Sequence, residues 1–224
     1  MAVAAADQAA LALGIRPAMA LTHARAMVPG LAVVDADPEG DAAALARLAA
    51  WCLRYSPLTA ADPPDGVWID ITGCAHLHGG EAALRADLLE RLAGGRGVHA
   101  RAAVADTPGA AHAVARFRSA AAAVIAPDAH TAVMATLPAG ALRLPPETVA
   151  ALRRLGFDRV GQLADTARAP LVRRFGRLVA LRLDQASGRV FEPIAPAVPD
   201  DMVTHRLSFV EPLLTAPAFG PGHR

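Results

Sequence analysis

With 224 residues, 54% of them apolar, the chain has enough material for one or two buried cores and falls outside the disordered class. A formal charge of +1 excludes a global field that would steer it to nucleic acid, so any basic surface must be local. All 22 basic residues are arginine, a bias that a GC-rich genome ordinarily produces and that also supplies the planar fork suited to phosphate.

Met1-Ala2-Val3 lacks the basic start of a secretory signal, and Asp7 interrupts the alanines that follow. The stretch through Leu13 suits a helix ended by Gly14. Arg16-Pro17 opens a turn, Leu21 to Val28 predicts a short helix, and Pro29-Gly30 closes it. Leu31-Ala32-Val33-Val34 reads as a short buried strand. From Asp41, a candidate N-cap, to Tyr55, the residues Leu45, Leu48, Cys52 and Tyr55 recur at helical spacing.

Pro63-Pro64-Asp65-Gly66 is a strong break before Val67 to Thr72, where Val67, Ile69 and Ile71 alternate as in a strand. Cys74, His76 and His78 carry metal-ligand chemistry. Residues two apart in a strand-to-loop segment share one face without closing a tetrahedral shell, so no metal site is expected there. Two cysteines make no disulfide framework and fit a reducing, cytoplasmic compartment. Glu81 to Leu92 predicts a helix with Leu84, Leu88 and Leu89 facing one way, Val98 to Ala105 a second strand, and Pro108 to Phe117 a further helix. Strand, crossover helix and strand predict a mixed sheet, joined right-handedly if the strands run parallel.

Beyond Pro138 the pattern is purely helical: Glu147 to Leu155 behind Pro145-Pro146, Gln162 to Ala167, Pro170 to Phe175, and Arg182 to Gly188. Pro193, Pro196 and Pro199 mark a linker. Val203 to Val210 then reads as a single strand that cannot bury itself, so the chain is expected to end just inside another domain. No apolar run is long enough to span a bilayer.

Three stretches carry a resemblance. Leu13 to Leu21 with Ala24-Arg25 and Val28-Pro29 is similar to the fingers-to-palm passage of the Y-family translesion polymerases. Arg54-Tyr55-Ser56-Pro57 with Asp65 to Gly73 is similar to their carboxylate-bearing palm segment. Leu152 to Leu163, with Leu155-Gly156-Phe157 and Val160-Gly161-Gln162-Leu163, resembles the thumb's helix–hairpin–helix. Ile69 to Leu77 followed by Gly79-Gly80-Glu81 points to the ImuB-like, non-catalytic branch. The resemblance implies an α+β fold truncated at both ends. It divides into a partial fingers and palm over 1–137, a helical thumb over 138–192, and a linker with the start of a little-finger domain over 193–224.

Active members of that family hold two magnesium ions with acidic side chains, hard oxygen ligands that neutral residues do not replace. The resemblance places their Asp-Glu pair at Asp65 and Gly66, so one carboxylate is kept and the other has no side chain. Asp70 matches a different acidic position, on the opposite side of the alternation from Ile69 and Ile71. Gln8 and Leu11 stand at the family's Tyr and Arg, and Thr107-Pro108-Gly109 at its Asn-Lys step. The family's first strand, with a further ligand, is not seen before Leu13. Catalytic residues and cofactor are therefore expected to be none, and Asp65 is also ordinary turn chemistry.

The alternative is an active error-prone polymerase using magnesium, Asp65 and an unseen carboxylate. A third reading is a non-functional truncated product whose palm sheet keeps a sticky, unpaired edge.

A helix–hairpin–helix grips the sugar–phosphate backbone through N–H groups at tight turns. The second turn keeps Gly156 and Gly161, whereas Arg143-Leu144-Pro145 replaces the glycines of the first. Arg153, Arg154, Arg159, Arg173, Arg174 and Arg177 cluster in this part and are the expected contacts for weak, sequence-independent DNA binding in a nucleoid-associated scaffold. By resemblance the partners include an error-prone polymerase, the sliding clamp and a RecA-like accessory protein. The Gln-Leu clamp motif is not matched, because Gln162-Leu163 lies in the thumb and lacks the hydrophobics that follow it.

Overall fold

Asp7 opens the first helix by accepting a hydrogen bond from Ala10 N at 2.7 Å, and α1 (Gln8–Ala12) ends where Gly14 turns at φ +91°. The computed structural model describes residues 1–119 and 123–196. The chain then doubles back, pairing Ala2 with Ala20 in an antiparallel bridge and burying Ile15, and α2 (Leu21–Met27) follows. Leu31 to Val34 forms no strand: Val34 is 91% exposed. A short apolar run becomes a strand only where an edge stands ready to pair with it, and none is adjacent here.

Helix α3 (Pro38–Trp51) starts earlier than Asp41 because Asp37 supplies the cap, accepting from Gly40 N at 2.9 Å, and Pro38 fills a first-turn position that needs no donor. Asp41 lies in that first turn, where the helix dipole favours its charge. α3 packs on an antiparallel hairpin of β1 (Thr59–Asp62) and β2 (Gly66–Ile69), with Thr59 opposite Ile69 and Asp62 opposite Gly66. β1 reads Thr-Ala-Ala-Asp and lacks any alternation signal. Its place is fixed by contacts from elsewhere: buried Thr59 donates its hydroxyl to Ala49 O of α3 at 2.8 Å, and the Ser56 hydroxyl donates to Asp70 O.

Helix α4 (Glu81–Arg96) buries Leu84, Leu88 and Leu92 against Cys52 and Tyr55, with Val67, Ile69 and Ile71 packed on this first core. Leu92, not Leu89, completes the buried stripe, as the four-residue step from Leu88 requires. The expected strand at Val98 to Ala105 is reduced, among the described residues, to one parallel bridge between Val104 and Val124. The sheet there is thus a two-stranded antiparallel hairpin, and no parallel strand pair gives the crossover rule an object.

The second core is helical. α5 (Pro108–Phe117), α6 (His130–Thr136), α7 (Pro146–Arg154), α8 (Val160–Ala164), α9 (Arg168–Phe175) and α10 (Arg177–Ala186) bury Ala113, Met134, Leu152, Leu163, Leu171 and Val179 together. α6, which the sequence pattern does not announce, packs on α5 and α8. Leu137 and Ala139 both belong to this core, so the expected boundary at 137–138 runs through packed side chains. The strand expected at Val203 to Val210 and the linker proline Pro199 lie outside the described residues.

Candidate functional site

Asp65 sits on the turn between β1 and β2 and faces α5, whose last turn supplies Arg116. The guanidinium grips both carboxylate oxygens, with Nη1 donating to Oδ2 at 3.1 Å and Nη2 donating to Oδ1. These hydrogen bonds hold the Asp65 pKa below the usual carboxylate value and raise that of Arg116. Arg116 also donates through Nε to His112 Nε2 at 2.9 Å, one helical turn back. His112 is therefore neutral with its proton on Nδ1. Burial, reinforced by the charges of Arg116 and Arg143, pushes its pKa down to about 4. The His112 ring lies 6.0 Å from that of Trp68 on β2, and the Arg143 guanidinium 5.5 Å from the Trp68 ring.

This corner does not fit a pair of magnesium ions. Magnesium takes carboxylate oxygens in octahedral order, and the lone carboxylate is already neutralised by a bidentate guanidinium. A β-carbon at Gly66 would meet Asp62 Oδ2 at 3.0 Å and Asp62 O at 3.1 Å, so a second acid cannot enter beside Asp65 without moving Asp62. Asp70 Oδ1 accepts from Thr72 N at 3.0 Å and serves its turn. Asp106 Oδ2 accepts from Asp128 N at 2.8 Å and lies 2.9 Å from His130 Nδ1. Among the described residues no group of three His, Cys, Asp or Glu could hold a metal, the Cys74, His76 and His78 segment included. His78 instead lies 5.3 Å from the Tyr55 ring, beside the hydrogen bond from Tyr55 Oη to Asp87 at 2.7 Å.

Thr107, at the family's substrate-side step, is a structural joint. Its hydroxyl accepts from Ala110 N at 3.1 Å to cap α5 and donates to Ala186 O, at the end of α10, at 3.0 Å. Gly109 lets those two helices touch, since a β-carbon there would lie 3.1 Å from Ala186 Cα.

The expected DNA-contacting arginines divide. Arg153 and Arg154 close α7, Arg173 and Arg174 close α9, and Arg177 opens α10, all exposed and with no ion pair seen among the described residues. At helix C-termini the first four are favoured by the dipole. Arg177 is at the N-terminal end, where a cation gains nothing from it. Arg159 is engaged differently: its guanidinium donates to Thr136 O, and its backbone N–H donates to Gln162 Oε1 at 2.8 Å in a capping arrangement. Gly161 faces inward, where a β-carbon would stand 3.0 Å from Ala135 O, while Gly156 turns at φ +82° in open space. Arg143 adopts the left-handed backbone at φ +55°, where the related hairpin has glycine, and its guanidinium pairs with Glu192 at 2.7 Å. Arg182 shares Glu192, and Arg168 and Arg189 share Asp184, so these four cations are internally committed.

Sequence reasoning missed Arg116, His112 and Trp68. The signal was His112 and Arg116 four apart on a helix that the sequence predicts. Their meeting with Asp65, 51 positions from Arg116, is a tertiary fact. No described helix is long and apolar enough to cross a membrane.

Residues 1–116, just over half the chain, match the impB/mucB/samB family. Protein ImuB from two strains of Caulobacter vibrioides is 48% identical over 201 residues, which cover 90% of this chain. The chain spans 43% of the length of those relatives. DinB from Sulfolobus solfataricus superposes with a TM-score of 0.67 at 17% identity, covering 87% of this chain and 58% of that one. An insertion ternary complex of Dbh DNA polymerase gives 0.71 at 18% identity, covering 86% and 57%. Those two likenesses establish the fold.

Proposed function

We propose, because this chain belongs to the impB/mucB/samB family, that it is a DNA-associated, non-catalytic component of DNA-damage tolerance by translesion synthesis. The observation that carries the non-catalytic reading is the Arg116 clamp on Asp65. A cation supplied by α5 occupies the surviving carboxylate, and Gly66 leaves no room for the second. Phosphoryl transfer through paired ions lacks its ligand cage here. The Dbh structure in a ternary complex supports placing DNA against the corresponding helices.

In this reading Arg153, Arg154, Arg173, Arg174 and Arg177 touch phosphates from exposed positions that no internal acid neutralises among the described residues. Gly156 supplies an open turn for close backbone approach. Arg159 and Gly161 contribute by holding α8 in place, through Thr136 and Ala135. The scaffold works in the cytoplasm at the nucleoid. An error-prone polymerase, the sliding clamp and a RecA-like protein are its proposed partners, with clamp contact made by polypeptide other than Gln162-Leu163.

Duplex binding measured against salt tests the DNA half. Arg173→Ala with Arg174→Ala should lower the slope of log K against log salt by about 1.8, at about 0.9 for each phosphate no longer neutralised. An unchanged slope refutes it. Magnesium-dependent primer extension tests the other half: none is expected, and extension abolished by Asp65→Ala would establish an active polymerase instead.

A further inference from the structure

A cavity of about 1270 Å³ runs between β2 and the extended segment 98–106. Consecutive residues, not alternate ones, line both of its long sides: 66 to 73 on one and 98 to 108 on the other. Side chains of an extended segment alternate between faces, so a cavity lying on a face would collect every second residue. Contact with each successive residue means that the cavity runs along the edges of both segments.

The hydrogen bonding agrees. β2 pairs with β1 on one side only, so every second residue of β2 directs its N–H and C=O away from β1. Of β1, only Asp62 reaches the cavity. Across the cavity, Val104 donates to Ala123 O at 2.8 Å and accepts from Ile125 N at 2.9 Å. With both its polar groups turned that way, the extended backbone turns those of Ala103 and Ala105 toward the cavity. The N–H of neither has a backbone partner among the described residues. Leu84, Leu88 and Leu92 of α4 make the lining apolar.

We propose that this channel is a strand-accepting site. It takes an extended segment of another polypeptide with apolar side chains at alternate positions, which completes the sheet between β2 and residues 98–106. The occupant follows from complementarity. A small apolar ligand would fill the space and leave two rows of backbone donors and acceptors unmatched, whereas a strand satisfies both rows and lays its apolar face on the leucines. A strand of about five or six residues, roughly 17–20 Å long, is the ordinary unit of such pairing.

The test titrates the intact chain with an eight-residue peptide of alternating valine and threonine, by calorimetry and by the fluorescence of Trp68, which lines the channel. A second peptide, N-methylated at alternate residues, cannot pair on both edges. One-to-one binding with a change in Trp68 emission is expected, roughly tenfold weaker for the methylated peptide. Ala103→Pro, which removes one inward-facing donor, should weaken binding while the melting curve is kept. If that variant does not fold, the methylated peptide decides alone. Absence of binding, or equal binding of the two peptides, overturns the proposal. So does a dimer of the chain that the peptide leaves intact, because the occupant would then be a second copy.

Discussion

Thr107→Val removes one hydroxyl and keeps the branched shape. That hydroxyl makes the bond that caps α5 and the bond that ties it to the end of α10, 79 positions away. Losing the cap costs about 1 kcal/mol. Leaving Ala186 O short of its buried donor costs about 1 kcal/mol more. The sum of about 2 kcal/mol should lower Tm by roughly 4–8 °C, at about 2–4 °C per kcal/mol for a chain of this size. Thr107→Ser keeps the hydroxyl and should retain most of the stability. Scanning calorimetry with urea denaturation reads both variants. A valine variant melting within about 1 °C of the parent, or a serine variant as weak as valine, would refute the joint and reopen a substrate-side role for this position.

His112 is held neutral with its pKa at about 4, against 6.5 when unfolded, so the unfolded chain binds more protons between those values. Its contribution is complete above pH 6.5 and is lost as pH falls toward 4, by up to about 3 kcal/mol, and His112→Gln should flatten the urea midpoint across that window. Gly161→Ala drives a β-carbon to 3.0 Å from Ala135 O, so overpacking of about 1–3 kcal/mol should outweigh a gain of up to about 1 kcal/mol in helix propensity and lower the urea midpoint. Tyr55, raised to about 12 by burial first and by Asp87 second, should ionise earlier in Asp87→Asn without returning to 10.0, as followed by ultraviolet titration.

The helices were legible wherever caps and periodicity agreed: Asp7 before α1, Pro108 opening α5, Pro146 opening α7. Asp41 misled as a cap because Asp37-Pro38 upstream offers the same chemistry with a proline already set for the first turn. Leu31 to Val34 misled because an apolar run gives the propensity of a strand without giving it a neighbour. β1 was hidden for the opposite reason, since Thr-Ala-Ala-Asp is a strand only through its register with β2 and the anchor of Thr59 on α3.

For the candidate site, the sequence determined composition: one acid at 65, no side chain at 66, a run of arginines past 150. Tertiary structure alone decided what those groups do. It set Arg116 on Asp65, turned Gly161 toward Ala135, tied Arg159 to Thr136, and left Arg173, Arg174 and Arg177 exposed. The physical reason is range. Caps and periodicities act within one or two turns of chain, whereas ion pairs and close packing join groups whose separation in sequence says nothing of their distance in space.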